Sequence, residues 1–147
     1  MSITAAGLYA LSLEKMMIDT LGQSLEAETH KEALVLDTYT PNYSTHDFRD
    51  DLTNEVVGSG YTAGGVACTG TEITIASEVL TFDMIDTVYP TVTIVDVMAG
   101  VFYTNVGSAA TDQLICLQDF ITAASATAAD FTIQHAGGGV FTIDVQP

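Results

Sequence analysis

The second half of the chain alternates branched or aromatic residues with small or polar ones. This period of two is typical of β-strands that bury one face. Residues 71–75 and 79–82 form such a pair around a short turn, and residues 91–103 predict a longer strand. Gly100, inside that strand, indicates a bulge or a close backbone approach. The pattern therefore predicts β structure from residue 66 almost to the end of the chain.

A long hairpin is predicted over residues 101–117, where two apolar arms flank a tip of Asn, Gly, Ser, Ala, Thr and Asp. Its second arm covers residues 113–121. Residues 122–129, TAASATAA, have low complexity and predict an exposed loop. Residues 131–135 and 140–145 predict a last hairpin around three consecutive glycines. The small tip residues lose little rotamer entropy on ordering, so we expect the tip to reach a neighbouring subunit through Asn105, Ser108 and Thr111.

Helical spacing occurs near the N-terminus, over residues 5–25. This helix either covers one opening of its own domain or docks on another subunit. In the second case, four apolar side chains on its face are the candidate contacts: Leu11, Met17, Ile18 and Leu21.

Between the helix and the β-rich half, the chain predicts one strand and two connecting segments. Residues 32–39 form the strand, with an apolar centre at residues 34–36. Residues 45–54 are polar and fit one helical turn with Thr45 as a possible N-cap. Residues 56–65 carry four glycines and predict a turn-rich loop.

Taken together, the pattern gives about seven strands, short connections and no alternation of strands with helices. We therefore predict a mainly β protein, either a single antiparallel β-sandwich or a partly open barrel, with one N-terminal α-helix. The length of 147 residues fits a single domain, with the helix in residues 1–25 and the β domain in residues 31–147.

The composition is apolar and acidic. Hydrophobic residues make up 48% of the chain and charged residues 15%, against an average of about 25% charged in soluble proteins. Either part of the surface is buried in an assembly, or the surface is rich in uncharged Thr and Ala. Nineteen acids face three bases, for a net charge of −16, which disfavours nucleic acids and anionic membranes as partners. A basic protein partner, cation binding and plain solubility remain open.

The densest acidic group consists of Asp47, Asp50, Asp51 and Glu55. Clustered carboxylates can hold Ca²⁺, but the spacing does not match an EF-hand loop. Arg49 lies inside the group, so we expect it to pair with one of these acids in a solvated turn. The group is a weak calcium candidate, and we expect no cofactor.

Other candidate chemistry is sparse. Cys68 and Cys116 lie in apolar, strand-like surroundings and predict buried thiols rather than a disulfide. None of His30, His46 and His135 has a second ligand at metal spacing, so we expect ordinary surface or capping residues. A nucleophile elbow and a phosphate-binding loop are both missing from the sequence, so we predict neither a catalytic site nor a small-molecule substrate.

The sequence shows neither a membrane span nor a signal peptide. No run reaches the roughly 18 apolar residues of a membrane span. The N-terminus has no basic region before its apolar part, so it does not resemble a signal peptide, and we expect synthesis in a cytoplasm.

Four segments in a fixed order carry a resemblance. They read ALVLDTYTP from residue 33, THDFRDDLTNEVVGSGYTAGG from residue 45, VFYTNVGSAATDQLICLQDF from residue 101 and FTIQHAGGGVFTI from residue 131. This set resembles a family of small virion structural proteins of tailed bacteriophages, over residues 31 to 143. One departure lies at Thr104-Asn105-Val106, where the family pattern has a charged pair after the tyrosine.

The resemblance implies a non-enzymatic part of the virion, made in the host bacterial cytoplasm. The expected role is a capsid decoration, or cement, protein on the head surface that binds the major capsid protein and copies of itself, as a trimer at a lattice three-fold axis. A tail, baseplate or neck component is the alternative within the virion. A cellular β-rich binding module or a small hydrolase is the alternative from another class.

Overall fold

The structure is a computed structural model that describes residues 3, 5–19, 21, 24–26 and 29–144. In these residues the chain forms one α-helix, one 3₁₀ turn and eight strands. In chain order they are β1 (Gly7–Leu8), α1 (Ala10–Met17), β2 (Lys31–Leu36), the 3₁₀ turn (Arg49–Asp51), β3 (Val66–Ala67), β4 (Glu72–Ala76), β5 (Val79–Asp83), β6 (Thr87–Tyr103), β7 (Leu114–Ile133) and β8 (Phe141–Asp144).

The strands form two antiparallel sheets. The five-stranded sheet has the order β1-β7-β6-β2-β3, and the three-stranded sheet has the order β4-β5-β8. Neither order closes on itself within the described residues, so the predicted mainly β fold with an N-terminal helix is confirmed as a two-sheet arrangement and not a closed barrel. No helix among the described residues is long and apolar enough to cross a bilayer.

The predicted β6–β7 hairpin is confirmed, with Val101 opposite Leu117 and Tyr103 opposite Leu114. The predicted loop over residues 122–129 is wrong, because β7 continues through it to Ile133. Ala124 pairs with Val97, and Ala124 and Ala126 pack against a core cluster. The small side chains of β7 pack on the inner face of the sheet beside larger residues of β6. A segment of low complexity can therefore form a strand and not a loop.

The predicted last hairpin is also wrong. Phe131 lies in the end of β7 and pairs with Tyr89 of β6, whereas Phe141 of β8 pairs with Phe82 of β5. The chain therefore crosses from one sheet to the other over residues 134–140. Glycines in this crossing were compatible with a hairpin turn, but the pairing partners lie far away in the sequence.

The N-terminal helix is shorter than predicted. Gly7 and Leu8 are extended because they pair with β7, and the helix ends at Met17. Asp19 then adopts a φ of 55° in the left-handed region, which stops the helix. Residues 20, 22 and 23 of the predicted range lie outside the described residues.

The predicted turn in residues 45–54 is the 3₁₀ turn, whose N-cap is Phe48 and not Thr45. The carboxylate of Asp51 accepts the peptide N–H of Asp47, at 2.9 Å. The turn is thus held by its own third residue and not by a hydroxyl cap.

The core lies on both faces of the five-stranded sheet. Ala33 and Leu34 are adjacent in β2, point to opposite faces and are both 0% exposed. Between the two sheets, the Phe82 ring centroid lies 5.2 Å from that of Phe102 and 5.2 Å from that of Phe141. Phe82 and Phe102 are both 0% exposed, and burial of each contributes about 1.5–3 kcal/mol, so their contact joins the two sheets, with the half-buried Phe141 beside Phe82.

Candidate interaction surface

The tip of the β6–β7 hairpin is folded back against the 3₁₀ turn. The Asp112 side chain is 1% exposed and accepts N–H bonds from Val106 and Gly107, at 2.9 and 3.1 Å. Its other oxygen accepts a bond from Arg49 Nε at 3.1 Å, and the Arg49 peptide N–H donates to the Asp112 carbonyl at 2.8 Å. A charged pair therefore fixes the position of the tip, and the predicted contact of the tip with a neighbouring subunit stays a prediction.

The predicted contact residues of the tip differ in exposure. Ser108 and Thr111 are exposed, and their hydroxyl oxygens lie 2.9 Å apart, whereas Asn105 is half-buried. The Asp50 peptide N–H donates to the carbonyl of Ala109, at 3.1 Å. Ser108 and Thr111 are accessible to a partner, but only as part of a surface that the turn holds in place.

Lys15 and Arg49 are both engaged within the chain. Lys15 Nζ lies 2.5 Å from Gln113 Oε1 and 3.6 Å from Asp47 Oδ2. Arg49 pairs with Asp112 across the tip, so the prediction that it pairs within its own turn is wrong. Two of the three bases of the chain thus join α1, the 3₁₀ turn and the hairpin tip.

The four acids of the weak calcium candidate have separate surroundings. Asp47 faces Lys15, Asp51 bonds the backbone of its own turn, and Asp50 is exposed. Glu55 Oε1 accepts the Tyr61 hydroxyl at 2.7 Å. In the part of the chain that the structure describes, no three His, Cys, Asp or Glu side chains are grouped as metal ligands. The geometry does not bring these four carboxylates together.

The predicted contact residues of the helix also divide. Met17 is 80% exposed and Ile18 is 59% exposed at the C-terminal end of α1. Leu11 is half-buried, and Leu21 packs against the core cluster between the sheets. Only Met17 and Ile18 therefore present an apolar surface to a partner.

The three-stranded sheet carries an apolar surface that the sequence pattern did not reveal. Leu80 stands directly opposite both Ile75 and Ile143, so these three residues form one row across the sheet. The row lies on the same face as Phe82, which is 0% exposed; within the row, Ile75 is 75% exposed, and Leu80 and Ile143 are half-buried. We call Ile75, Leu80 and Ile143 the overhanging row, because the sheet extends there beyond the core.

Further large apolar side chains are exposed elsewhere. Single exposed side chains are normal on soluble proteins, whereas an aligned apolar row next to the core is a typical contact surface. The scattered residues are Val57 at 91%, Ile121 at 83%, Ile85 at 62%, Val95 at 58%, Val88 at 44% and Val106 at 44% exposure.

Several titratable groups are buried. The thiols of Cys68 and Cys116 are free, as predicted, and burial raises the pKa of each well above its usual value. His30 is 0% exposed and the His135 side chain is 1% exposed, so the prediction that they are surface residues is wrong. Burial lowers the pKa of both imidazoles. Neutral imidazoles and protonated thiols are the forms that a buried site favours.

Glu32 is the buried group that the sequence analysis missed. It is 0% exposed in β2, and burial raises its pKa to about 7. The burial of Glu32 was not predicted because a glutamate at the start of the run KEALVL is compatible with a solvated strand end. The side chains that Glu32 contacts lie in distant elements. The one available signal was Gly100 in the long strand, which marks the space that the carboxyl occupies.

Comparison with known proteins identifies no relative. The chain matches no protein-family model, no curated protein and no solved structure.

Proposed function

We propose that the chain is a structural protein of a tailed-bacteriophage virion, and specifically a capsid decoration protein. It binds the lattice of the major capsid protein on the head surface and stabilises the head, acting as a trimer and without catalysis. The ordered motifs over residues 31 to 143 support the virion assignment.

The overhanging row carries the proposal of a lattice contact. Ile75 is 75% exposed, while Phe82, two residues from Leu80 on the same sheet face, is fully buried. Such a row costs free energy in water and gains it when a partner covers it, at roughly 25 cal/mol for each Å² of apolar surface buried. Many copies on one lattice multiply a modest contact through avidity.

The exposed end of α1 supports the trimer. Met17 and Ile18 provide a second apolar surface on a different element from the overhanging row. One surface for neighbouring copies and another for the lattice is the minimum that a symmetric decoration protein needs.

The test is the location and copy number of the chain in particles of the phage that encodes it. Heads and tails are separated and the chain is quantified against the major capsid protein. We expect a fixed, high ratio in heads and none in tails. Recovery in tails alone would assign the chain to the tail, baseplate or neck. Absence from particles would favour a cellular binding module or hydrolase.

The trimer is tested in solution by analytical ultracentrifugation. Wild type is compared with a variant that carries Met17→Asp and Ile18→Asp. We expect a trimer for wild type and a folded monomer for the variant. A wild-type monomer at micromolar concentration would remove the trimer from the proposal.

A further inference from the structure

The Glu32 carboxyl occupies a space next to Gly100 that a side chain at position 100 would fill. A Cβ added at Gly100 would lie 2.5 Å from Glu32 Oε1, closer than such atoms approach in proteins. The pairing register is regular at Gly100, which faces Leu34 and Gln118. The predicted bulge or backbone approach at this glycine is therefore the approach of a buried side chain.

Gln118 of β7 connects Glu32 to His135. Its Nε2 donates to Glu32 Oε1 at 2.9 Å, and its Oε1 lies 3.1 Å from His135 Nδ1. Because that oxygen can only accept, Nδ1 carries the proton. In the neutral ring Nε2 is then the acceptor for the Thr87 hydroxyl, at 3.2 Å. One amide thus joins the acid to the base, and these contacts span β2, β6, β7 and the crossing to β8.

The second carboxyl oxygen of Glu32 has no such partner. Oε2 is buried, makes no hydrogen bond within the described residues and lies 3.9 Å from His135 Nε2. A buried carboxylate without compensation is costly, and so is a buried imidazolium. The pair avoids both costs when the Glu32 carboxyl is protonated and the His135 ring is neutral, so that it carries no net charge.

We propose that Glu32, Gln118 and His135 form a proton-operated latch. The latch holds the crossing segment, residues 134–140, on the five-stranded sheet while the Glu32 carboxyl is protonated. It loosens when Glu32 loses that proton. The proposal concerns the molecule's own conformation and does not depend on the virion assignment.

The neighbouring groups offset a negative charge on Glu32 only in part, since burial raises the pKa of Glu32 by more than Thr87 lowers it, and no cationic side chain accompanies Thr87 among the described residues. The Tyr89 hydroxyl donates to the Glu32 backbone carbonyl at 2.7 Å, and Asp86 accepts the His135 peptide N–H at 2.9 Å. Asp86 and Asp83 raise the pKa of His135 against the larger lowering effect of burial. The titratable side chains that face the pair are all neutral or acidic, namely Cys68, Cys116, Tyr89, Asp83 and Asp86.

The direction of the pH effect follows from burial. The pKa of Glu32 rises from 4.5 to about 7, so the stability that its protonated form contributes is full below pH 4.5 and is lost as the pH rises through 7. The pKa of His135 falls below 6.5, so its contribution is full above pH 6.5 and is lost as the pH falls. Below pH 6.5 the effects of Glu32 and His135 on the pH dependence of stability oppose each other. Between pH 6.5 and 7 only the loss of stability from Glu32 remains.

Loosening of the latch would change a groove next to it. Gln118, Gln134, Ala136 and Val140 line a groove of about 440 Å³ between β7 and β8. Gln118 therefore belongs both to the latch and to this groove. Release of the crossing segment at higher pH would widen the groove.

The test compares urea unfolding of wild type and Glu32→Gln from pH 4.5 to 8. Relative to the variant, the folding equilibrium constant of wild type should fall by up to tenfold per pH unit between 4.5 and 7. Glu72→Gln, at an exposed acid in β4, is the matched control and should follow wild type. Parallel pH profiles for wild type and Glu32→Gln would overturn the proposal.

Two further measurements test the latch directly. The carboxyl ¹³C signal of Glu32 in wild type should titrate near pH 7, which needs no variant, and a midpoint near 4.5 would overturn the proposal. Amide hydrogen exchange in residues 134–140, corrected for intrinsic rates, should increase severalfold from pH 6 to 8. An unchanged corrected rate would show that the proton does not control this segment.

Discussion

The region around β2 in the five-stranded sheet and the overhanging row of the three-stranded sheet differ in how far the domain covers them. The five-stranded sheet is buried on both faces around β2, as Ala33 and Leu34 show at 0% exposure each, whereas Val95 and Ile121 further along β6 and β7 are exposed. The three-stranded sheet is covered over only part of one face, where Phe82 is buried and Ile75 is 75% exposed. The two-sided core around β2 therefore provides much of the stability of the fold, and Ile75 at the end of the overhanging row is the apolar side chain proposed to meet a partner.

The largest effect should come from truncating the covered part of the smaller sheet. Phe82→Ala removes a ring that contacts both Phe102 and Phe141, and should lower the free energy of unfolding by about 3–5 kcal/mol. Ile75→Ala, on the same face, should change it by no more than about 0.5 kcal/mol. Urea unfolding of both variants measures the contrast. Equal losses would mean that the two positions are equally buried.

The next effect concerns the junction that fixes the hairpin tip. Arg49→Met should lower the free energy of unfolding by about 3 kcal/mol, because the carboxyl of Asp112, which is 1% exposed, loses its cationic partner. Adding Asp112→Asn should recover part of the loss. If Asp112→Asn lowered the free energy of unfolding of Arg49→Met as much as it lowers that of wild type, the two side chains would not be coupled.

A smaller effect is expected at the exposed hydroxyls of the tip. The double variant Ser108→Ala and Thr111→Ala loses two exposed hydrogen bonds, of 2.9 and 3.1 Å, so the free energy of unfolding should fall by about 1 kcal/mol. Binding to capsids should be unchanged if the overhanging row makes the contact. A large loss of capsid binding by this stable variant would return the contact to the tip.

Sequence reasoning succeeded where turn chemistry and local alternation determine the pairing. Residues 71–75 and 79–82 are joined by a short turn, and the hairpin at residues 101–117 has two strongly apolar arms. It failed where pairing partners are distant, as for Phe141, whose partner Phe82 lies in another hairpin. It also failed at residues 122–129, since Ala and Thr have the composition of a loop but can fill the inner face of a strand.

The candidate surfaces follow the same division. Met17 and Ile18 are exposed. The sequence could identify them because helical spacing is a local property. Leu21 shares the spacing but packs between the sheets, which depends on elements far along the chain. The overhanging row required the register of three strands, and the latch at Glu32 required contacts with Gln118 and His135. Neither can be read from a single segment.

The most direct test of the account is binding of Ile75→Asp to expanded heads that lack the chain. Ile121→Asp is the matched control, because Ile121 is similarly exposed, at 83% against 75%, and lies in the other sheet. Co-sedimentation should show saturation for wild type and Ile121→Asp, and at least about tenfold weaker binding for Ile75→Asp, a difference of 1.4 kcal/mol. Equal binding of Ile75→Asp and wild type, or failure of wild type to bind heads, would contradict the account.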